Sequence, residues 1–169
     1  MKSKHYILVR LYIVFALLCY AVASLADAQQ GKQQSLIAPD FTFSEISGEE
    51  YTLSEKVSGK PALLYFWATW CPYCKKATPK IVELHNNYSD VIEVLGINVG
   101  IDDSVELTQA YIEEFDIKFP IMFDHDNSVS QSYNVFGTPV FVVISDQGKM
   151  LYRGHVYPEG IEQALQPTP

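Results

Sequence analysis

The residues with chemistry to offer are Cys71 and Cys74, three positions apart around Pro72-Tyr73 in the run Trp70-Cys71-Pro72-Tyr73-Cys74. Side chains three positions apart share a helix face, so two such sulfurs can approach each other. The run lies where a continuous apolar stretch, Ala62 to Ala68, gives way to a helical pattern. A sulfur at that junction sits over the free N–H groups and the positive end of the helix, which favour thiolate over thiol. Cys71 is therefore the expected attacking sulfur of thiol–disulfide exchange. Cys74, one turn deeper, is the expected resolving sulfur, which attacks the mixed disulfide and releases the substrate. Pro72 costs no hydrogen bond in the first turn, where its missing N–H would have had no partner.

Two other uses of a Cys-x-x-Cys pair fit less well. A structural zinc needs four ligands, and the histidines after residue 28 are His85, His125 and His155, widely separated and forming no second pair. A static bridge would close so short a loop that it restrains little unfolded-state entropy. No metal site and no cofactor are expected.

The elements that must position the pair follow from periodicity. Phe41 and Phe43 alternate with polar residues, Ser47-Gly48 signals a turn, and Tyr51 and Leu53 resume the alternation, predicting an N-terminal hairpin. Ala62–Ala68 reads as a central strand buried on both faces. Pro72 to Tyr88 reads as a helix, with Ala77, Ile81, Leu84 and Tyr88 on one face and Pro79 as a kink. Val91–Val99 is the next buried strand, and Asp103–Phe115 a helix that Asp102 or Asp103 can cap. Pro120–Phe123 is a short strand and Asp126–Tyr133 a short helix; Val140–Ile144 and Met150–Arg153 form a hairpin around Asp146-Gln147-Gly148. Pro158 would open a closing helix carrying Ile161, Ala164 and Leu165. Strands alternating with helices and ending in a hairpin give an α/β three-layer sandwich.

The N-terminus reads as an address. Lys2, Lys4 and Arg10 precede an apolar run from Leu11 to Leu25, and Ala26-Asp27-Ala28 offers small residues at cleavage spacing. Residues 1–28 are expected to be an export signal, with an uncleaved anchor as the alternative. Residues 29–38 form a polar lead-in, and 39–169 the domain. Cys19 lies inside the apolar run without the small preceding residue that lipidation would want. Export implies an oxidising compartment, in which only Cys71 and Cys74 survive cleavage. Of the 169 residues, 48% are hydrophobic and 13% aromatic, enough for one well-packed domain. The formal charge of −8 excludes a general nucleic-acid binder, because that affinity comes from Lys and Arg on phosphates.

The segment Tyr65-Phe66-Trp67-Ala68-Thr69-Trp70-Cys71-Pro72-Tyr73-Cys74, followed 65 positions after Cys74 by Pro139 in Thr138-Pro139, resembles the thioredoxin superfamily. The nearer likeness is its exported TlpA/ResA-like branch, over roughly Pro39 to Leu165. The resemblance implies a thioredoxin-like sandwich around a central mixed sheet, with the N-terminal hairpin and an extra strand–helix insertion. It implies a cis peptide before Pro139 facing the disulfide, and pairing of the Thr138 backbone with a bound substrate chain. Trp70, Pro72, Tyr73, Thr138 and Pro139 are thus candidate substrate-binding residues beside the catalytic Cys71 and Cys74. Two family acids are missing: Tyr65 and Ala77 stand where relatives carry proton acceptors for the second cysteine, leaving water or Glu83. Lys75 and Lys76 would raise the local positive potential.

The implied activity is an exported thiol:disulfide oxidoreductase acting on cysteine-containing proteins, as a reductant drawing electrons from a membrane thiol–disulfide donor, for example in cytochrome c maturation. A monomer is expected. The Pro-Tyr dipeptide, typical of glutaredoxins, predicts a potential between theirs, roughly −200 to −230 mV, and thioredoxin's, roughly −270 mV. Alternatives are a disulfide-forming oxidant or isomerase, a thiol peroxidase suggested by Ala38-Pro39-Asp40-Phe41, and a copper-handling module using His125 or His155. Against the peroxidase, Thr69 lies only two residues before Cys71, whereas the peroxidase signature places its Thr three before the cysteine and a Pro four before that Thr.

Overall fold

A computed structural model of the chain describes residues 37–161. The expected export segment, the lead-in up to residue 36 and the closing helix beyond Ile161 lie outside the described residues.

The elements are β1 (Thr42–Ser44), β2 (Glu50–Thr52), α1 (Leu53–Lys56), β3 (Ala62–Trp67), α2 (Pro72–Tyr88) and β4 (Glu93–Asn98), followed by α3 (Val105–Glu114), β5 (Ile121–Phe123), α4 (Ser128–Ser132), β6 (Val140–Ile144) and β7 (Met150–Gly154). The strands β1 and β2 form the predicted hairpin, with Phe43 opposite Tyr51. Leu53 does not extend that hairpin: it opens α1 and is buried there. The main sheet has the order β5-β4-β3-β6-β7. In it β3 pairs in parallel with β4 and antiparallel with β6, so the sheet is mixed.

Uninterrupted apolar runs become central strands because helices cover both faces. Every residue of β3 and of β6 is buried. Along β3, Tyr65 and Trp67 face one side: the Tyr65 hydroxyl meets Thr78 of α2, and the Trp67 ring lies 4.4 Å from Tyr111 of α3. Phe66 faces the other side, 5.3 Å from Tyr133 just past α4. The crossovers β3–α2–β4 and β4–α3–β5 step outward in the same direction, and the common right-handed sense puts α2 and α3 on one face. The result is three layers.

The register decides where the chemistry lies. Phe66 pairs with Val140, so Thr138 and Pro139 run alongside the C-terminal end of β3, where the Cys-x-x-Cys turn begins. The loop after β4 reaches the same end of the sheet. Clefts outside the carboxyl ends of parallel strands are where α/β folds bind ligands.

One helix cap differs from expectation. Ser104, not Asp102 or Asp103, is the N-cap of α3, its hydroxyl accepting from the Leu107 N–H at 3.2 Å. Asp102 takes a left-handed conformation, and the Asp103 carboxylate is spent elsewhere, on the active-site loop.

Candidate active site

Cys71 is the N-cap residue of α2, in extended conformation, and Pro72 occupies the first helical position. The Cys74 N–H donates to the Cys71 sulfur at 3.1 Å, the bond an N-cap side chain makes to the third residue of a helix. Cys71 and Cys74 are joined by a disulfide with their Cα atoms 5.2 Å apart. The sulfur of Cys71 therefore sits against a free helix N–H and the positive dipole end, the arrangement that stabilises a thiolate once the bond is reduced. Both cysteines are almost wholly buried, while their neighbours Trp70 and Tyr73 are 51% and 69% exposed.

The turn leading into the cysteines is held from the adjacent strand end. Asp103 accepts from the Thr69 N–H and the Thr69 hydroxyl, both at 2.7 Å. It also accepts from the side-chain amide of buried Asn98 at 2.9 Å. Trp70 Nε1 donates to the Ile101 carbonyl at 2.8 Å. Gly100 makes this loop possible: its φ is +69°, and a Cβ there would fall 2.4 Å from the Asp124 carbonyl oxygen.

Behind Cys74 lies a set of hydroxyls. The Tyr65 hydroxyl and the Thr78 hydroxyl both donate to the Cys74 carbonyl, at 3.1 and 2.9 Å. The Tyr111 hydroxyl lies 2.8 Å from that of Thr78 and completes the set. Burial pushes the Tyr65 hydroxyl far above its ordinary acidity range, and burial pushes Tyr111 up to about 12. Behind Cys74 this chain therefore has a neutral network that does not accept a proton near neutral pH. Glu83 is no substitute: it is exposed and nine residues along α2, about 13.5 Å by helical rise.

The Thr138–Pro139 peptide bond is cis. The Pro139 carbonyl accepts from His155 Nδ1 at 2.8 Å, which ties this loop to the segment after β7. Beside it opens a groove of about 480 Å³, reaching from Trp70 and Ile101 to Phe136 and Thr138. Phe136 is 93% exposed and Ile101 50%, so apolar surface flanks the disulfide.

Of the residues singled out from sequence, Trp70, Cys71, Pro72, Tyr73 and Cys74 form the α2 turn, and Thr138 and Pro139 enter β6 beside it. Lys75 and Lys76 are exposed on α2, with the Lys76 ammonium 5.8 Å from the centre of the Tyr73 ring. Pro79 lies inside α2. Asp103, Ile101 and Phe136 were not foreseen. Asp103 carried a signal, an acid next to a helix start, but the signal pointed to capping. Among the described residues no group of three or more His, Cys, Asp and Glu is placed to hold a metal, and no helix is long and apolar enough to cross a membrane.

The sequence profile of the AhpC/TSA family matches residues 35–153. Thiol-disulfide oxidoreductase ResA of Geobacillus thermodenitrificans is 30% identical over 173 residues, covering 98% of each chain. ResA of Geobacillus kaustophilus is 34% identical over 132 residues, covering 76% of this chain and 74% of that one. Among solved structures, a secreted disulfide oxidoreductase of Mycobacterium tuberculosis, described as homologous to DsbE of E. coli, matches with a TM-score of 0.61 and 25% identity, over 70% of this chain and 84% of that one.

Proposed function

Since this chain belongs to the AhpC/TSA family and is a ResA-type thiol–disulfide oxidoreductase with a Cys71–Cys74 pair, we propose that it is exported and reduces disulfides of protein substrates, with cytochrome c maturation as the setting. The observation that carries the mechanism is the Cys74 N–H held 3.1 Å from the Cys71 sulfur. In the dithiol form the Cys71 thiolate attacks one sulfur of a substrate disulfide, and the other substrate sulfur leaves as a thiolate. Cys74 then gives its proton to solvent or to that departing thiolate and attacks the Cys71 sulfur. The second substrate thiol is released and the enzyme is left as the disulfide. Two electrons have passed to the substrate, whose two thiolates take up protons from Cys74 and from solvent, and a membrane thiol–disulfide donor restores the dithiol.

Trp70, Pro72, Tyr73, Thr138 and Pro139 face the substrate in this reading, with the Thr138 backbone pairing to its chain. A single chain builds the whole site, in keeping with a monomer. Export is supported by the basic and apolar N-terminal sequence and by the secreted relative. A peroxidase would need a threonine hydroxyl turned to the reactive cysteine, whereas the Thr69 hydroxyl is donated to Asp103. The direction of electron flow is tested by rapid acid quenching of intact cells and alkylation of free thiols. A reductant is held mainly as the Cys71/Cys74 dithiol. A chain found mainly as the disulfide, with substrates that lose disulfides when it is deleted, would be an oxidant. The Pro72-Tyr73 dipeptide puts the potential between roughly −270 and −200 mV, measurable by equilibration with glutathione.

A further inference from the structure

The antiparallel ladder between β6 and β7 runs up to the pair Phe141–Gly154 and stops there. Continued by two residues, the same register would set Pro139 opposite Val156. Among the described residues, however, no main-chain N–H donates to the Pro139 carbonyl. A carbonyl at a strand end needs a donor once neighbouring chain keeps water from it. A side chain supplies one: His155, the residue after Gly154, donates from Nδ1 at 2.8 Å in a half-buried contact. The imidazole stands in for the missing rung. A carbonyl only accepts, so the neutral ring carries its proton on Nδ1, and the cationic ring makes the same bond.

The segment that carries the imidazole is itself pinned. The Tyr152 hydroxyl donates to the Val156 carbonyl at 2.7 Å, folding the tyrosine back over Gly154, where a Cβ would fall 2.4 Å from the hydroxyl oxygen. Tyr157 is buried and stands edge-on to Phe141 at 5.7 Å. His155 is thereby held from both sides, although the residue is exposed.

The loop at the other end of the bond has little else to hold it. Among the described residues, the bond from His155 is the only hydrogen bond that residues 136–139 make. Phe136 is exposed, an added Cβ on Gly137 would meet nothing within 4 Å, and the Thr138 hydroxyl has no partner. The main-chain groups of this loop are therefore unspent. A chain left without that one bond has to be ordered at the moment a substrate pairs with it, and that ordering costs free energy.

We propose that His155 is a positioning residue for exchange with peptide disulfides: by holding the Pro139 carbonyl it keeps the unpaired main chain of residues 136–139 in the place where a substrate chain joins it. The inference rests on the reading that protein disulfides are the substrates. It assigns the ring no contact with the reacting sulfurs.

The test compares rate constants of the reduced full chain on two disulfides: a peptide joined to a fluorescent thiol, and a disulfide of two small thiols that has no main chain to pair. His155→Ala lowers the peptide rate about fivefold to tenfold and the small-disulfide rate by less than about twofold. His155→Asn, whose side-chain N–H takes the place of Nδ1–H, restores the peptide rate to within about twofold of the parent. His155→Gln, whose amide lies one bond farther out, does not restore it. Should the Ala variant fold poorly, the Asn and Gln variants carry the same comparison. An equal fall on both disulfides, or no fall on the peptide, overturns the proposal. So does an Asn variant as slow as Gln, or a Gln variant as fast as Asn. A parent chain that reduces the small disulfide but no peptide or protein disulfide overturns the functional reading itself.

Discussion

Two polar regions meet at the disulfide, and they are built in opposite ways. Behind Cys74, the hydroxyls of Tyr65, Thr78 and Tyr111 all find partners, and the Cys74 carbonyl takes two of them. In the groove beside the disulfide, Asn127, Ser130 and Thr138 each keep a buried polar atom without a partner. A reaction centre that passes electrons to many disulfides needs fixed geometry, which a satisfied network supplies. The difference separates a region whose hydroxyls are spent on the fold from one whose polar atoms are shut in without a partner.

The largest expected effect strikes the reaction centre itself. Cys71→Ser lowers the rate of disulfide reduction by about three orders of magnitude or more, followed by release of a thiol chromophore. Next is Asp103→Ala, which leaves the Thr69 N–H, the Thr69 hydroxyl and the Asn98 amide without their acceptor; it costs about 2 to 3 kcal/mol in denaturant unfolding. Thr78→Val keeps the volume but removes the central hydroxyl behind Cys74, at about 1 to 2 kcal/mol. Ser130→Ala, in the unsatisfied region, changes stability by less than about 0.5 kcal/mol. Equal losses from Thr78→Val and Ser130→Ala would erase the contrast between the two regions.

A pH-dependent effect falls on alkaline stability. Tyr111 is held at about 12 in the folded chain against 10.0 when unfolded, so the folded state keeps its proton where the unfolded state loses it. That contribution is complete below pH 10 and is lost as pH rises from 10 to 12. Denaturation midpoints across this range check the sign, and Tyr111→Phe flattens the slope.

How far the sequence could be read depended on whether local forces decided a residue's role. The strand β3 and helix α2 were legible because an unbroken apolar run and a 3.6-residue pattern each point one way. The Cys-x-x-Cys turn was legible because its chemistry needs only neighbours in sequence. The cap of α3 was misread because Asp102, Asp103 and Ser104 all cap well, and a contact with Thr69, 34 residues earlier, claimed Asp103. Asn127 caps, and Ser130 lies on, a five-residue helix of weak periodicity, and only the sheet register brings them to Thr138 and Trp70. Nothing local marks them. The substitution of Tyr65 for a family acid was visible, but its consequence, a neutral network bound to the Cys74 carbonyl, required the packing of α2 and α3.

The central claim, that Cys71 attacks and Cys74 resolves, is tested most directly by expressing Cys74→Ser in its native envelope, quenching in acid, and mapping the captured proteins by mass spectrometry. The account predicts mixed disulfides joining substrate cysteines to Cys71, absent from a Cys71→Ser/Cys74→Ser control. Recovery of no mixed disulfide at Cys71, while Cys71→Ser alone accumulates substrates on Cys74, would contradict it.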